Sequence, residues 1–447
     1  MRVISGLFSR KIVRDGAWVA AGQLLSTIAA LASIRIMTEL LAPDEFGRLT
    51  LVIGIAALVL GLAVNPRLQA LIRYYPEVKQ DVGTAILRKI GLRMIWPLVA
   101  IGAACLSTAW VVSAPWLGGR WYTGFLVAGL FVTDCVRSFE LSLFNAARRQ
   151  REASLIYVAD AWLRPLMAVA LIFAFGSHAE GALAGYFAGS VFAVLAMVLS
   201  MKREGDGVHG VQRAHFEELA PSLASSIRRY ALPLAPLAIF GWLSGMGDRY
   251  VVAGLLSLED AGLYAAAYSL ASRPFLMMSG VVELTMRPIL QNAIAEKNML
   301  LIARVKRIWL LIMTAGAALG VLCFTFLSTW VGHLLLAPEY HSATALMPWI
   351  ALGYALYNVA TVYTRFCYSF DDTRAVTMIT TLGALLGVGT MVPATYFAGL
   401  AGAGGSVSVS FGVQLLISLI LAKRAERNYV VTAIKSVRHG SLRGREV

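Results

Sequence analysis

Charge is scarce in this sequence. Asp, Glu, Lys and Arg make up only 14% of its 447 residues, against about 25% in soluble globular domains. That shortage excludes an ordinary soluble enzyme. Acids are the scarcer sign: 25 Asp and Glu face 39 Lys and Arg, for a net charge of +14. There are four cysteines, Cys105, Cys135, Cys323 and Cys367, each in or beside an apolar stretch. Their spacing fits no metal motif and no disulfide framework, so they read as small buried hydrophobes. None of the six histidines lies deep in an apolar run. Short segments of alternating polarity, the mark of a membrane β-barrel, are missing. No nucleophile–base constellation, metal-ligand cluster or phosphate-cradling glycine loop is legible. The expectation is a protein that is not an enzyme and carries no metal or cofactor.

What is present is apolar length. Hydrophobic residues reach 58%, and stretches of about 20 of them recur along the whole chain, each long enough to cross a bilayer. The pattern predicts an all-α polytopic membrane protein with twelve transmembrane helices in two six-helix bundles. The spans fall near 16–41, 47–65, 94–114, 122–145, 153–176, 181–201, 231–256, 261–286, 308–331, 344–364, 375–397 and 402–422. Those near 94–114 and 344–364 each carry an internal proline, Pro97 and Pro348, which membrane helices tolerate. Met1 to Asp15 is short, basic and weakly amphipathic. The apolar run after it is too long for a signal-peptide core, so it reads as an uncleaved first helix.

The basic residues set the orientation. With the N-terminus and every second connection on the cytoplasmic side, 32 of the 39 Lys and Arg fall there, and only Arg48 and Arg120 fall opposite. This is the positive-inside asymmetry, and it predicts both termini in the cytoplasm. The positive charge is thus a topology signal and an attraction to anionic membrane lipids, not a nucleic-acid footprint. The domains expected are an N-terminal bundle over 1–201, a cytoplasmic linker over 202–230 containing Gly205-Asp206-Gly207, a C-terminal bundle over 231–422 and a basic tail over 423–447.

One short pattern occurs twice, 215 positions apart. Leu40-Leu41-Ala42-Pro43-Asp44-Glu45-Phe46-Gly47 and Leu255-Leu256-Ser257-Leu258-Glu259-Asp260-Ala261-Gly262 each join the first and second helix of a half. A repeat of nearly half the chain length in so apolar a sequence suggests a transporter built from two related bundles.

Five arginines lie within spans: Arg35, Arg137, Arg164, Arg249 and Arg273. Each costs roughly 2.5–3.5 kcal/mol at the bilayer centre unless it meets water or a partner. Six acids accompany them: Glu39, Asp134, Glu140, Asp160, Asp248 and Glu283. Arg35 and Glu39, Asp160 and Arg164, and Asp134, Arg137 and Glu140 are spaced three or four apart, so each set shares a helix face and is open to ion pairing. Arg249 directly follows Asp248, and adjacent residues point in different directions. Arg273 has no acid within a turn. These two are expected to meet an anion from elsewhere, and a phosphate suits the guanidinium fork. Asp248, Asp160 and Asp134 are the better candidates for ion coupling than any histidine. Prolines follow two of the arginines, at Pro165 and Pro274, and Pro233, Pro236 and Pro393 add further kinks, which read as hinges or as ordinary irregularity. Gly399-Leu400-Ala401-Gly402-Ala403-Gly404-Gly405 reads as a close turn with small-residue helix packing.

The first turn, Asp248-Arg249-Tyr250 followed by Glu259-Asp260-Ala261-Gly262-Leu263-Tyr264-Ala265-Ala266-Ala267-Tyr268, and Arg73-Tyr74-Tyr75-Pro76 together resemble the polysaccharide flippases (Wzx-like) of the multidrug/oligosaccharidyl-lipid/polysaccharide exporter (MOP) superfamily. The resemblance extends through the twelve-span plan across essentially the whole chain. It implies a bacterial inner-membrane protein with two bundles around a central cleft. The implied cargo is an oligosaccharide on a polyprenyl diphosphate, moved from the inner to the outer leaflet, with other polysaccharide-assembly proteins as possible partners. It also implies a cationic lumen, for which Arg249 and Arg273 are the leading residues and Arg137, Arg164 and Arg35 stand behind them. Six acids against five arginines depart from a purely cationic picture. A drug or cation exporter of the same superfamily, a membrane enzyme of polysaccharide assembly and a scaffold that has lost transport are the alternatives. The exporter favours unpaired carboxylates, and the enzyme needs a larger outer loop than is present.

Overall fold

The computed structural model describes residues 10–79, 83–117, 120–147, 149–203 and 213–443. The Gly205-Asp206-Gly207 stretch lies outside them. The described residues form helices and turns, without strands. In chain order the helices are α1 (Arg10–Leu40), α2 (Pro43–Ala63), α3 (Asn65–Lys79), α4 (Gly83–Leu117), α5 (Thr123–Ala146), α6 (Gln150–Phe175), α7 (Ala179–Arg203), α8 (Arg213–Ala231), α9 (Ala235–Leu255), α10 (Leu258–Ala295), α11 (Met299–Leu335), α12 (Met347–Ser369) and α13 (Thr373–Arg443).

Among the described residues, nine helices are long and apolar enough to span a membrane. The twelve spans expected from the sequence are all accounted for. α5 falls short of that nine because it holds Asp134, Arg137 and Glu140, and α10 because it holds Arg273 and Glu283 among tyrosines and serines. α13 contains two spans, since Gly399 (φ 59°, ψ −142°) breaks its helical path. That backbone region is essentially reserved for glycine. A side chain at Gly402 would start 1.9 Å from the Ala394 carbonyl oxygen, so the glycine-rich stretch is a close turn, as its composition indicates.

The repeated pattern is a two-residue connection in both places, 41–42 between α1 and α2 and 256–257 between α9 and α10. Its acids occupy first helical turns. α2 opens on Pro43 with Asp44 and Glu45 behind it. α10 is capped by Ser257, whose Oγ accepts from the Asp260 N–H at 3.0 Å and donates to Asp260 Oδ2 at 2.7 Å. Carboxylates there complement the positive helix end, and the cap satisfies a free N–H. Glu45 Oε2 also accepts the first N–H of α7, from Ala179, at 2.6 Å.

The chain divides into two compact units. Unit 1 comprises residues 1–242 with 335–339, and unit 2 comprises 243–334 with 340–447. In unit 1, α6 packs on α7 and α1, and α5 packs on α4, α7 and α2. Glycines set the α6–α7 approach. A Cβ at Gly185 would lie 2.2 Å from Ala168 Cα, and one at Gly189 2.7 Å from the Leu163 carbonyl. Small residues of this kind let membrane helices close on each other without a hydrophobic drive. In unit 2, α12 packs on α13 and α10. One core there joins Leu290 of α10, Trp309 and Met313 of α11, and Val362 and Phe366 of α12. Large side chains such as Phe173, Phe326 and Phe397 are about four-fifths exposed, as hydrocarbon solvent permits.

Several local expectations are corrected. α3 and α8 are helices in stretches read as loop and linker. Both are too polar to span, and they pack together, with Arg73 4.7 Å from the Tyr230 ring. α4 starts eleven residues before the predicted span. Pro348 lies in the first turn of α12 rather than inside it, where its missing N–H costs nothing. Pro233 and Pro236 likewise sit at the start of α9, in and just after a 3-10 turn over Leu232–Leu234. Pro165, Pro274 and Pro393 are inside helices, as expected. Cys135 and Cys367 are buried, but Cys323 is partly exposed and Cys105 is exposed.

Candidate functional site: membrane-embedded charges

Unit 1 holds four charged side chains in one cluster. Asp134 and Arg137 come from α5, and Asp160 and Arg164 from α6. Asp134 Oδ1 accepts from Arg137 Nη2 at 2.8 Å and from Arg164 Nη2 across the helix pair. Asp160 Oδ1 accepts from Arg164 Nε at 3.0 Å, and its Oδ2 stands 3.4 Å from Arg137 Nη1. Two acids and two arginines make the cluster neutral. Intrahelical pairing is therefore real for these arginines, and each is also paired between helices. Arg35 pairs with Glu39 one turn along α1 and donates to the Leu336 carbonyl.

Glu140 does not serve Arg137. It is buried against Arg88 of α4, with Arg88 Nη2 at 2.9 Å and Nε at 3.2 Å from Glu140 Oε2. Arg88 falls in a stretch assigned to the cytoplasm from sequence, and the early start of α4 brings it into the core of unit 1.

In unit 2, Asp248 and Arg249 lie near the end of α9 against the tyrosines of α10 and α12. Asp248 Oδ2 accepts from the Tyr264 hydroxyl at 2.9 Å, and Oδ1 accepts the Arg249 N–H at 2.9 Å. The expectation that adjacency keeps Arg249 unpaired is overturned. Its Nη1 stands 3.7 Å from Asp248 Oδ1 and donates to the Gly245 carbonyl at 3.1 Å. The side chain folds back along its own helix over the Tyr268 ring, 4.7 Å from the centroid. Tyr354 extends the group by donating to the Tyr268 hydroxyl at 2.8 Å. Beside it lies a cleft lined by Ser244, Asp248, Tyr268, Gly387, Ser406 and Ser410, with about 40 Å³ of room. That is room for about three or four waters at roughly 10–15 Å³ each.

Arg273 differs from the other four. It is exposed, and among the described residues it has no hydrogen bond and no carboxylate partner. It lies within electrostatic reach of Tyr354 and Arg249. Asn358 Nδ2 ties α12 to α10 two residues away, through the Phe275 carbonyl at 3.0 Å. Glu283 of α10, the last of the six acids within spans, is taken up by Arg365 at 2.9 Å and Arg287 at 3.7 Å. No group of three or more metal-type ligands occurs among the described residues.

The sequence profile of the family described as polysaccharide biosynthesis protein matches residues 12–293, well over half of the chain. The chain belongs to this family. Its fold is shared with transporters of the MOP superfamily. An inward-facing multidrug resistance MATE family transporter of that superfamily superposes with a TM-score of 0.71 at 13% identity, covering 92% of this chain and 96% of that one. The lipid II flippase MurJ in an inward closed conformation gives 0.68 at 12% identity, covering 92% and 90%. The Vibrio cholerae MATE transporter VcmN, in its bent form, gives 0.59 at 12% identity, covering 94% and 99%. No curated protein matches the chain. This member of the polysaccharide biosynthesis protein family is therefore a multi-pass membrane protein with the MATE and MurJ fold.

Sequence reasoning named all five arginines and the three aspartates, but not the side chains around them. Tyr264 and Tyr268 enter the sequence reading only as part of the family-like segment after the second turn, with no contact to Asp248 or Arg249 expected, and Tyr354 is not singled out there. The signal for the first two was a spacing of four beside an Asp-Arg pair. Gly181, Gly185 and Gly189, each four apart, were equally legible as a helix-packing stripe.

Proposed function

We propose that this protein flips a polyprenyl-diphosphate-linked oligosaccharide from the inner to the outer leaflet, for export of a cell-surface polysaccharide, by alternating access. It acts as a translocator and not as an enzyme, in a bacterial inner membrane with both termini cytoplasmic. Other polysaccharide-assembly proteins are its natural partners. The observation that carries the reading is Arg273, the one spanning arginine of the five with no counter-ion among the described residues. A charge left unpaired at that depth is expensive, and a passing anion offsets the cost. A diphosphate matches a guanidinium in charge and geometry.

The other arginines enter through their partners. Arg249 adds positive field near Arg273 but is held by Asp248. In the neutral cluster of unit 1, a proton arriving on Asp134 or Asp160 releases a guanidinium from Arg137 or Arg164, which ties ion movement to anion binding. Arg35 and Asp248 offer the same exchange with Glu39 and Arg249.

The test is glycan export in cells whose only copy carries Arg273→Ala or Arg273→Lys, at equal membrane protein level. Export is expected to collapse with alanine and to recover in part with lysine, which keeps the charge but loses the fork. Normal export with alanine removes Arg273 from the site. A second reading, a cation or drug exporter, is favoured by Asp248 lining the cleft in unit 2. It predicts that Asp248→Asn raises drug sensitivity while glycan export is unchanged.

A further inference from the structure

In unit 1, Arg120 and Tyr122 ahead of α5, Phe175 and His178 around the α6–α7 connection and the start of α7 border an open cavity of about 290 Å³. None of the five spanning arginines lines it. Leu126, Phe175, Gly181 and Ala184 form its apolar part, Tyr122 and His178 add polar edges, and two opposite charges also line it: Arg120 and Glu180.

Glu180 is the unusual member. It is only 9% exposed and sits in the first turn of α7. The first N–H of that helix is already taken by Glu45. Among the described residues, the Glu180 carboxylate has no hydrogen bond and no ion pair. The positive end of α7 eases its burial but leaves its acceptor oxygens unused. Its carboxylate oxygens are not among the fully enclosed unpartnered side-chain atoms, so they open on the cavity and can accept from a donor that enters it.

Arg120 stands across the gap. Its backbone carbonyl accepts from Trp110 Nε1 at 3.0 Å, and its Nη1 donates to the Tyr122 hydroxyl at 2.7 Å. The guanidinium is held above its ordinary range, first by that tyrosine and in part by the charge of Glu180. It senses Glu180 without closing on it, and four of its five N–H groups stay available. Around the cavity, Trp121, Phe125, Phe173 and Phe175 are 60–77% exposed. Such aromatics are typical of the level where lipid headgroups meet hydrocarbon.

A separated cation and anion over an apolar wall at that level fit a ligand with a phosphodiester, an ammonium a few bonds away and acyl chains. We propose that this cavity binds an aminophospholipid, with the ammonium donating to Glu180, the phosphodiester accepting from Arg120, and an acyl chain lying along Phe175 and Leu126. The proposal is independent of the transport reading. It discriminates among lipids on physical grounds. Phosphatidylglycerol has the phosphate without the cation, and phosphatidylcholine has a cation with no N–H to donate.

The experiment is native mass spectrometry of the full-length protein released from micelles holding equal amounts of phosphatidylethanolamine, phosphatidylglycerol and phosphatidylcholine. Phosphatidylethanolamine is expected to be retained about tenfold over the other two, the worth of one hydrogen bond to a charged group. Glu180→Gln is expected to abolish that preference, and Arg120→Gln to lower retention of all three lipids. Equal retention of the three by the unmodified protein overturns the proposal, with no variant needed. So does an intact preference in a monodisperse Glu180→Gln protein.

Discussion

Arg88 of α4 and Glu140 of α5 close a buried ion pair 52 residues apart in sequence, with both side chains about nine-tenths enclosed. Removing one partner takes from the other the counter-ion it holds at 2.9 Å, at a depth where water solvates a charge poorly. Arg88→Met or Glu140→Leu alone is therefore expected to cost about 3–5 kcal/mol, whereas the double substitution, which leaves no buried charge, recovers most of that loss. Thermal unfolding of the three variants in detergent measures this. A double variant as unstable as the two singles combined would show that the pair is not coupled.

Asp134 is the shared member of the unit 1 cluster, since its Oδ1 takes a donor from each of two arginines. Asp134→Asn leaves Asp160 facing two guanidinium groups and is expected to be the most damaging single change in the cluster. Adding Arg137→Gln restores neutrality around the remaining Asp160–Arg164 pair. It is expected to return about 0.5–3 kcal/mol as a coupling energy. Denaturant titration of the four-member cycle reads that energy directly, and strictly additive losses argue against a common network.

Gly185 and Gly389 make a matched comparison inside membrane helices. At Gly185 an added methyl meets the α6 backbone at 2.2 Å, while at Gly389 nothing lies within 4 Å. Gly185→Ala is expected to cost about 1–3 kcal/mol by overpacking. Gly389→Ala is expected to be neutral or to gain up to about 0.5–1 kcal/mol through helix propensity. The yield of monodisperse protein and its melting temperature separate the two. A harmless Gly185→Ala would mean that α6 and α7 do not approach this closely.

The spans were legible because hydrocarbon solvent demands long apolar runs, a constraint a sequence cannot hide. Even the charged helices α5 and α10 were placed, since their flanking turns and the alternation of basic connections fixed where they had to fall. The charged pairs were legible only where partners share a helix, as with Arg35 and Glu39 or Asp160 and Arg164. Arg88 with Glu140 and Arg164 with Asp134 depend on how helices pack, which spacing does not encode. Arg249 failed for a different reason. Direction along a helix was judged from Cβ positions, but its long stem curls back to reach the neighbouring Asp248. The polar helices α3 and α8 escaped notice because they lack the apolar length by which every other helix was found.

The twin junctions at 41–42 and 256–257 act as grammar rather than vocabulary. Their acids sit in the first turns of α2 and α10, Glu45 also fastens the start of α7, and Ser257 and Asp260 fasten the start of α10 from both sides. Variants selected for a changed cargo should therefore leave these positions alone, and variants selected for heat resistance should return to them.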